Sequence, residues 1–402
     1  MDPIDQLTEW AQEQGIVLDG VKPRRIPGKG IGIVATKRLK PGQSILEVPT
    51  SALRTLDTVP SALARRLPKD LTVHGLLAAD LALDQTAKYA VWNALSPTRA
   101  SIWSTLPLTW PPALQAHLPE AGQAVLRAQQ AKLARDWAAV SQALGRRPFP
   151  ALSSSSSGSP GAPLSEADYT YAWLLVETRT FYHSTARTER RLRRHDHMAL
   201  QPVADLFNHG EAGCRVAFDA AGFSVYADRA YARGDEVVIS YGAHGNDALL
   251  VEYGFVLGGE AGGGNRWDAV GLDGVVVPAL GDGQREALEA LGFLGGYVLD
   301  AEGACYRTQV ALRVMCLPET QWRRFLEEGG DEGAEKEAGR RQKKVDRLLV
   351  GLLKKYEEGT VRRHIREIEA SKVGEECQRE ILCRRWRQIQ RLLLATLERL
   401  DG

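Results

Sequence analysis

Two textures of apolar and polar positions alternate along the chain. Residues 3 to 14, rich in acids and ending at Gly15, predict a short helix. Gly28, Gly30 and Gly32 then interrupt an apolar stretch leading into Ile31-Gly-Ile-Val-Ala, the pattern of a turn feeding a strand. Lys40-Pro-Gly-Gln is a turn signal, and Ser44-Ile-Leu-Glu-Val-Pro after it predicts a second short strand. From about residue 60 to 145 the period changes: Leu71, Leu76, Leu77, Leu81 and Leu83, then the Ala/Gln/Leu-rich stretch 120 to 144, fit helices. Ser165-Glu-Ala-Asp reads as a cap with acids in the first turn, opening a helix that runs to about Phe181. Arg215-Val-Ala-Phe-Asp, Gly222-Phe-Ser-Val-Tyr-Ala and Glu236-Val-Val-Ile-Ser-Tyr are β-branched or aromatic and separated by turn residues, so strands return there. Beyond about residue 281 the pattern is mostly helical, closing with charged amphipathic segments at 335–356 and 375–400. The sum is an α+β chain of small β-structure interrupted by helices, with a mainly α-helical C-terminal region. Residues 153–163 (SSSSSGSPGAP) supply no core and read as a disordered surface loop, and 258–264 is a Gly-rich break.

Charge narrows the choice of partner. Fifty-one Lys plus Arg against 50 Asp plus Glu leave +1, so no global field argues for nucleic acid or an anionic membrane. No apolar run has the length of a membrane span, and MDPIDQLTEW is not a basic region followed by an apolar one. The expectation is a soluble, monomeric chain of the cytoplasm, the nucleus or both. Five scattered cysteines without a C-x-x-C pair argue against a disulfide framework and a structural zinc knuckle.

Three clusters carry candidate chemistry. Gly28-Lys-Gly-Ile-Gly is either a plain turn or a place where backbone groups approach a ligand; no Lys-Ser or Lys-Thr follows, so it is not a Walker loop. Asp205-Leu-Phe-Asn-His-Gly, preceded by His195-Asp-His197, is by residue type either a metal site or a polar turn in which Asn208 and His209 bond to backbone. The basic run Arg190-Arg-Leu-Arg-Arg194 would repel a divalent cation and weighs against the metal. Val238-Ile-Ser-Tyr-Gly242, then Asn246 and Glu252-Tyr-Gly-Phe255, reads as strand and core aromatics or as an aromatic site.

Taken in order, Gly30-Ile-Gly32-Ile-Val-Ala, Arg179 with Phe181, Asp205-Leu-Phe-Asn-His209, Ile239-Ser-Tyr-Gly and Glu252-Tyr-Gly-Phe resemble a SET-domain methyltransferase. The likeness is to the subgroup of plant Rubisco large-subunit methyltransferase, in which a helical insertion splits the SET fold. Asn265-Arg-Trp-Asp and Tyr306-Arg-Thr-Gln-Val-Ala-Leu-Arg-Val are similar to the start of that subgroup's C-terminal domain. The resemblance implies an N-terminal helix at 1–20, a SET domain at 21–60 and 199–258, an insertion at 61–198, and a helical substrate-docking domain at 265–402. It implies S-adenosyl-L-methionine as cofactor and a protein substrate presenting a lysine. Lys29, Gly30, Ile31, Arg179, Asp205, Asn208, His209 and Tyr241 would hold the cofactor, with Arg179 at its carboxylate. Tyr241 would be catalytic, and Phe181, Tyr253 and Phe255 would line the substrate channel.

The chemistry suits those residue types. Methyl transfer from a sulfonium needs an uncharged amine aligned for in-line displacement, so positioning and desolvation outweigh acid–base work. Apolar walls lower the pKa of an inserted lysine, and no protein nucleophile or metal is required. A histidine methyltransferase is the nearest rival; such relatives carry a polar residue where this chain has Phe181, and an amide would bond an imidazole. Two further readings are an inactive SET-type binding module and a metal-dependent hydrolase built on His195, His197, Asp205 and His209. Ala243-His244-Gly245 departs from the subgroup's usual small, basic, Ser pattern before Asn246. Near the C-terminus, Arg384, Arg385 and Arg387 beside Trp386 are expected to contact an acidic partner.

Overall fold

The computed structural model describes residues 2–84, 86–145, 164–258, 264–328 and 335–401. The Ser-rich segment 153–163 and residues 259–263 of the Gly-rich break lie outside the described residues. The chain forms two units, Met1–Ile102 with Ala128–Ala243, and Trp103–Arg127 with His244–Gly402. Among the described residues no helix is long and apolar enough to cross a membrane.

The first unit opens with the helix Pro3–Glu13, capped by the Asp2 carboxylate, which accepts from the Ile4 N–H at 3.0 Å. Pro3 suits the first turn because its missing N–H would have no helical partner there. The helix buries Leu7, Trp10 and Ala11 on one side. Strand β1 (Val17–Leu18) follows, then β2 (Val21–Ile26) and β3 (Gly30–Ala35), an antiparallel hairpin in the register Ile26 to Gly30. Gly28 and Gly30 take the left-handed φ values of 74° and 77° that let the chain reverse. After β4 (Ser44–Pro49) come β5 (Thr180–Tyr182), β6 (Met198–Leu200), β7 (His209–Phe218), β8 (Gly222–Tyr226) and β9 (Glu236–Val237). They build three antiparallel sheets, ordered β1-β4-β8-β7, β2-β3-β9 and β5-β6.

Between β4 and β5 the helix Val73–Leu83 packs on Glu166–Arg179, which Ser165 caps by accepting from the Asp168 N–H. That helix ends at Arg179, two residues short of the sequence expectation, because Thr180 to Tyr182 pair with β6 instead. The seam between the helices carries polar ties that fix their register: His74 stacks on Trp173 at 4.1 Å, and Tyr169 donates to the Gly75 carbonyl. The strand expected over 236–241 is also shorter, only Glu236–Val237. Past Val237 the backbone leaves β3 and turns to the residues around His209.

The second unit is mainly helical, with strands β10 (Ala269–Gly271) and β11 (Val298–Asp300) paired antiparallel. Its core joins Trp110, Leu114 and Leu118 to Tyr297, Leu349, Leu353, Trp386, Ile389 and Leu393. The amphipathic segments form the helices Glu335–Tyr356 and Glu376–Asp401. One expectation there is overturned. Arg385 is fully buried, bonded to Asp247 and Asp268 at 2.7 Å each, and Trp386 is buried with it. Neither is available to a partner; Arg384 is exposed, and Arg387 is paired with Glu369.

Candidate active site

Phe207, Asn208 and His209 are each tied to the segment 236–241. The Tyr241 hydroxyl donates to the Phe207 carbonyl at 2.7 Å, and the Ile239 N–H donates to the Asn208 carbonyl at 3.1 Å. The Tyr241 N–H donates to His209 Nδ1 at 3.0 Å, so this nitrogen carries no proton. Tyr241 is thus held at both ends. Burial pushes its phenol up to about 12, with Arg179 opposing and Asp205 and Glu236 adding to the rise. It stays a neutral hydroxyl whose oxygen keeps lone pairs to accept with.

The close approach depends on two glycines after His209. A β-carbon on Gly210 would stand 2.6 Å from Val238 Cγ2, and one on Gly213 would stand 2.7 Å from Ile239 Cα. Cys214 completes the contact by donating its N–H to the Val238 carbonyl at 2.8 Å.

Glu236, at the start of β9, links two of the expected residues. Its carboxylate accepts from Asn208 Nδ2 at 2.8 Å and from Lys29 Nζ at 2.6 Å. A β-carbon on Gly32 would stand 2.6 Å from the Asn208 amide nitrogen and 2.4 Å from Ile26 Cδ1, so a side chain there would have to displace both. Gly32 therefore admits a side chain of this chain, while the β-carbon position of Gly30 has nothing within 4 Å. Ile31, between them, pairs with Arg25 across the hairpin.

Arg179 and Asp205 form the second half of the site. One guanidinium nitrogen donates to the Asp205 carboxylate at 2.9 Å and to its carbonyl at 3.1 Å, and Trp92 Nε1 donates to both carboxylate oxygens. Burial pushes the Asp205 carboxyl up, and Arg179 pulls it back. Arg179 Nε is buried without an acceptor among the described residues. The turn before Asp205 is strained: Val203 has φ 68°, a cost on the order of 1–3 kcal/mol for a β-branched residue.

The remaining expected residues are placed as follows. Phe181, half-buried on β5, meets Phe223 edge-on at 5.1 Å. Tyr253 and Phe255 belong to the second unit, where Tyr253 lies 6.3 Å from Phe255 and 6.0 Å from the ring of His244. Asn246 is a buried knot of that unit, donating to Gln388 and the Leu257 carbonyl and accepting from the Leu257 N–H. The metal reading does not assemble among the described residues: Asp205 is engaged by Arg179 and Trp92, His209 by Tyr241, and His197 is not gathered with them. The side chain of His195 lies outside the described residues. Glu236, Trp92, Gly210 and Gly213 carry no signal of their own in the sequence, since each acts on a residue far away or by the lack of a side chain.

The SET domain family model matches residues 30–242. SET domain-containing protein 4 of Mus musculus is 27% identical over 342 residues, which is 80% of this chain and 75% of that protein. Ribosomal lysine N-methyltransferase set11 of Schizosaccharomyces pombe is 28% identical over 148 residues, 37% of this chain and 36% of its own length. Among solved structures, Rubisco LSMT bound to AdoMet superposes with a TM-score of 0.62 at 17% identity, covering 100% of this chain and 93% of that one. At that identity the likeness speaks for the fold.

Proposed function

The chain belongs to the SET-domain family, and from that premise we propose that it is an S-adenosylmethionine-dependent protein-lysine N-methyltransferase acting on a non-histone protein. A relative named as a ribosomal lysine N-methyltransferase supports the reaction and the class of substrate. So does a fold shared with the SET domain of LSMT bound to lysine and AdoHcy.

Two observations fit the cofactor to the residues present. Among the described residues Arg179 Nε is a buried cationic donor without an acceptor, suited to an amino-acid carboxylate, and the backbone at Gly30 is open. Lys29, Gly30, Ile31, Asn208 and His209 would hold the remainder, with Asp205 fixing Arg179. When bound, S-adenosylmethionine supplies an electrophilic sulfonium methyl. Tyr241 carries the reading: its hydroxyl is fixed by donating to the Phe207 carbonyl, which sets it in place to orient a lysine amine. Phe181 gives an apolar wall on the same unit and favours lysine over histidine. The channel roles of Tyr253 and Phe255, and a docking role for 265–402 without Arg385, rest on the sequence resemblance. All five cysteines are unpaired, as suits a reducing compartment, so we place the enzyme in the cytoplasm or nucleus.

Tyr241→Phe tests the reading with radiolabelled cofactor and a protein substrate. Turnover is expected to fall at least tenfold, about 1.4 kcal/mol of transition-state stabilisation, with cofactor affinity within a few-fold of wild type. Undiminished turnover would put the active site elsewhere.

A further inference from the structure

In the second unit two imidazoles and a carboxylate converge. His117 follows the short helix Pro112–Gln115, and His364 and Glu367 lie three apart on one face of the helix Arg362–Ala370. His117 Nδ1 is 3.1 Å from His364 Nδ1 and 3.8 Å from Glu367 Oε2. One ligand atom from each residue can be chosen so that all lie within 4.8 Å of one another.

From this geometry we propose that His117, His364 and Glu367 form a site for a divalent transition-metal ion, zinc by the chemistry of its donors, with the fourth position open to water. Two imidazole nitrogens bound tetrahedrally at zinc–nitrogen distances of about 2.0–2.1 Å stand about 3.3 Å apart, close to the spacing already present. Two nitrogens and one carboxylate oxygen are a borderline donor set, which favours zinc over calcium or magnesium. Glu367 has to move inward by roughly an ångström to complete the set, and its side chain is half exposed.

Trp386 prepares both imidazoles from behind. Its indole stacks on the His364 ring at 4.6 Å and 3°, and its Nε1 donates to the His117 carbonyl at 2.7 Å. One buried side chain thus fixes the plane of one ligand and the backbone of the other, the kind of support that orients metal ligands. The two rings stand at 86° to each other, so their Nδ1 atoms meet at one point without the rings overlapping. The cation that bears on His364 is Arg363, exposed on the same helix, and the Glu367 carboxylate opposes it. Metal here would tie the segment after Gln115 to the helix Arg362–Ala370 and steady the second unit. The proposal does not depend on methyl transfer.

The test uses the full-length, tag-free chain, stripped with chelator and titrated with zinc by calorimetry, and with cobalt(II) followed by visible absorption. One equivalent of zinc is expected, with the intense visible bands of tetrahedral cobalt. Binding should weaken at least tenfold in Glu367→Gln, a surface change that leaves the fold intact, and in His364→Gln, whose folding is checked by thermal melting without metal. Absence of zinc binding to the wild-type chain, or binding that Glu367→Gln leaves unchanged, would overturn the site and reduce the pair to an imidazole–imidazole hydrogen bond.

Discussion

Arg179 grips Asp205 by both its carboxylate and its carbonyl, from a single guanidinium nitrogen. The pair therefore fixes a side chain and the backbone of the turn that leads to Asn208 and His209. Breaking a buried pair by removing one partner costs more than the pair contributes, because the survivor stays buried. Asp205→Asn should lower stability by about 3 kcal/mol and weaken cofactor binding, since Arg179 loses the anchor that aims it. Urea unfolding and calorimetry on the same samples check both. Unchanged cofactor affinity in folded Asp205→Asn protein would detach this pair from the binding site.

Glycine is required at 213 for a different reason than at 28. Gly28 has the left-handed φ of a turn and open space around it, so Gly28→Ala should cost about 1–2 kcal/mol of backbone strain. At Gly213 the new carbon would meet the Ile239 backbone at 2.7 Å, where nothing can swing aside. Gly213→Ala should cost about 3 kcal/mol and disturb Tyr241 through that same segment. Denaturant midpoints compare the two, and a Gly213→Ala variant as stable as Gly28→Ala would refute the close packing of 238–239 on 210–214.

Glu177 gives the first unit a pH dependence. Burial alone would raise its carboxyl, but His74 at 3.0 Å and Lys132 at 3.4 Å outweigh burial and hold it at about 2, against an ordinary 4.5. A carboxyl depressed by folding stabilises the native state above its unfolded value, and the contribution disappears as pH falls through the folded one. The stabilisation, about 3 kcal/mol, should be complete above pH 4.5 and gone near pH 2. Urea titrations of wild type and Glu177→Gln across that window should converge at the acid end. A difference between them that does not change with pH would rule out the linkage.

How far the sequence announced this structure depends on the range of each interaction. Local signals were sufficient for the helices Pro3–Glu13, Glu335–Tyr356 and Glu376–Asp401, where capping and a 3.6-residue period act within a few turns. The glycine hairpin and the Asn208-His209 and Tyr241 segments were legible as motifs. What joins them was not, because Glu236 and Trp92 come from 28 and 113 residues away in the chain from Asn208 and Asp205. The strand read over 236–241 stops at Val237 because its later residues find partners at 208 and 214, a pairing that no alternation of side chains encodes. Arg385 is the instructive case. Leu382, Ile389 and Leu393 are buried on the C-terminal helix, and Arg385 falls four residues before Ile389 and eight before Leu393, on that same stripe. Periodicity places Arg385 on the buried face in spite of its charge.

The last prediction follows from that position. Arg385 Nε donates to Asp247 at 2.7 Å, Nη2 to the same carboxylate at 3.2 Å, and Nη1 to Asp268 at 2.7 Å. Asp268 in turn accepts the N–H of Asn246, so the guanidinium closes a network that runs to Gln388 on its own helix. Arg385→Met fills similar space but leaves two carboxylates facing each other without their cation, and it should cost about 3–5 kcal/mol. Arg385→Lys restores the charge but not the planar fork that reaches two acids at once, and should recover only part of the loss. Arg384→Glu, on the exposed side of the same turn, should stay within about 0.5 kcal/mol of wild type. Thermal and urea unfolding of the three variants decide the matter. If Arg385→Met matches Arg384→Glu in stability, the buried network is not what holds this helix; if it unfolds as expected, activity lost on mutating Arg385 reports folding and says nothing about recognition of a partner.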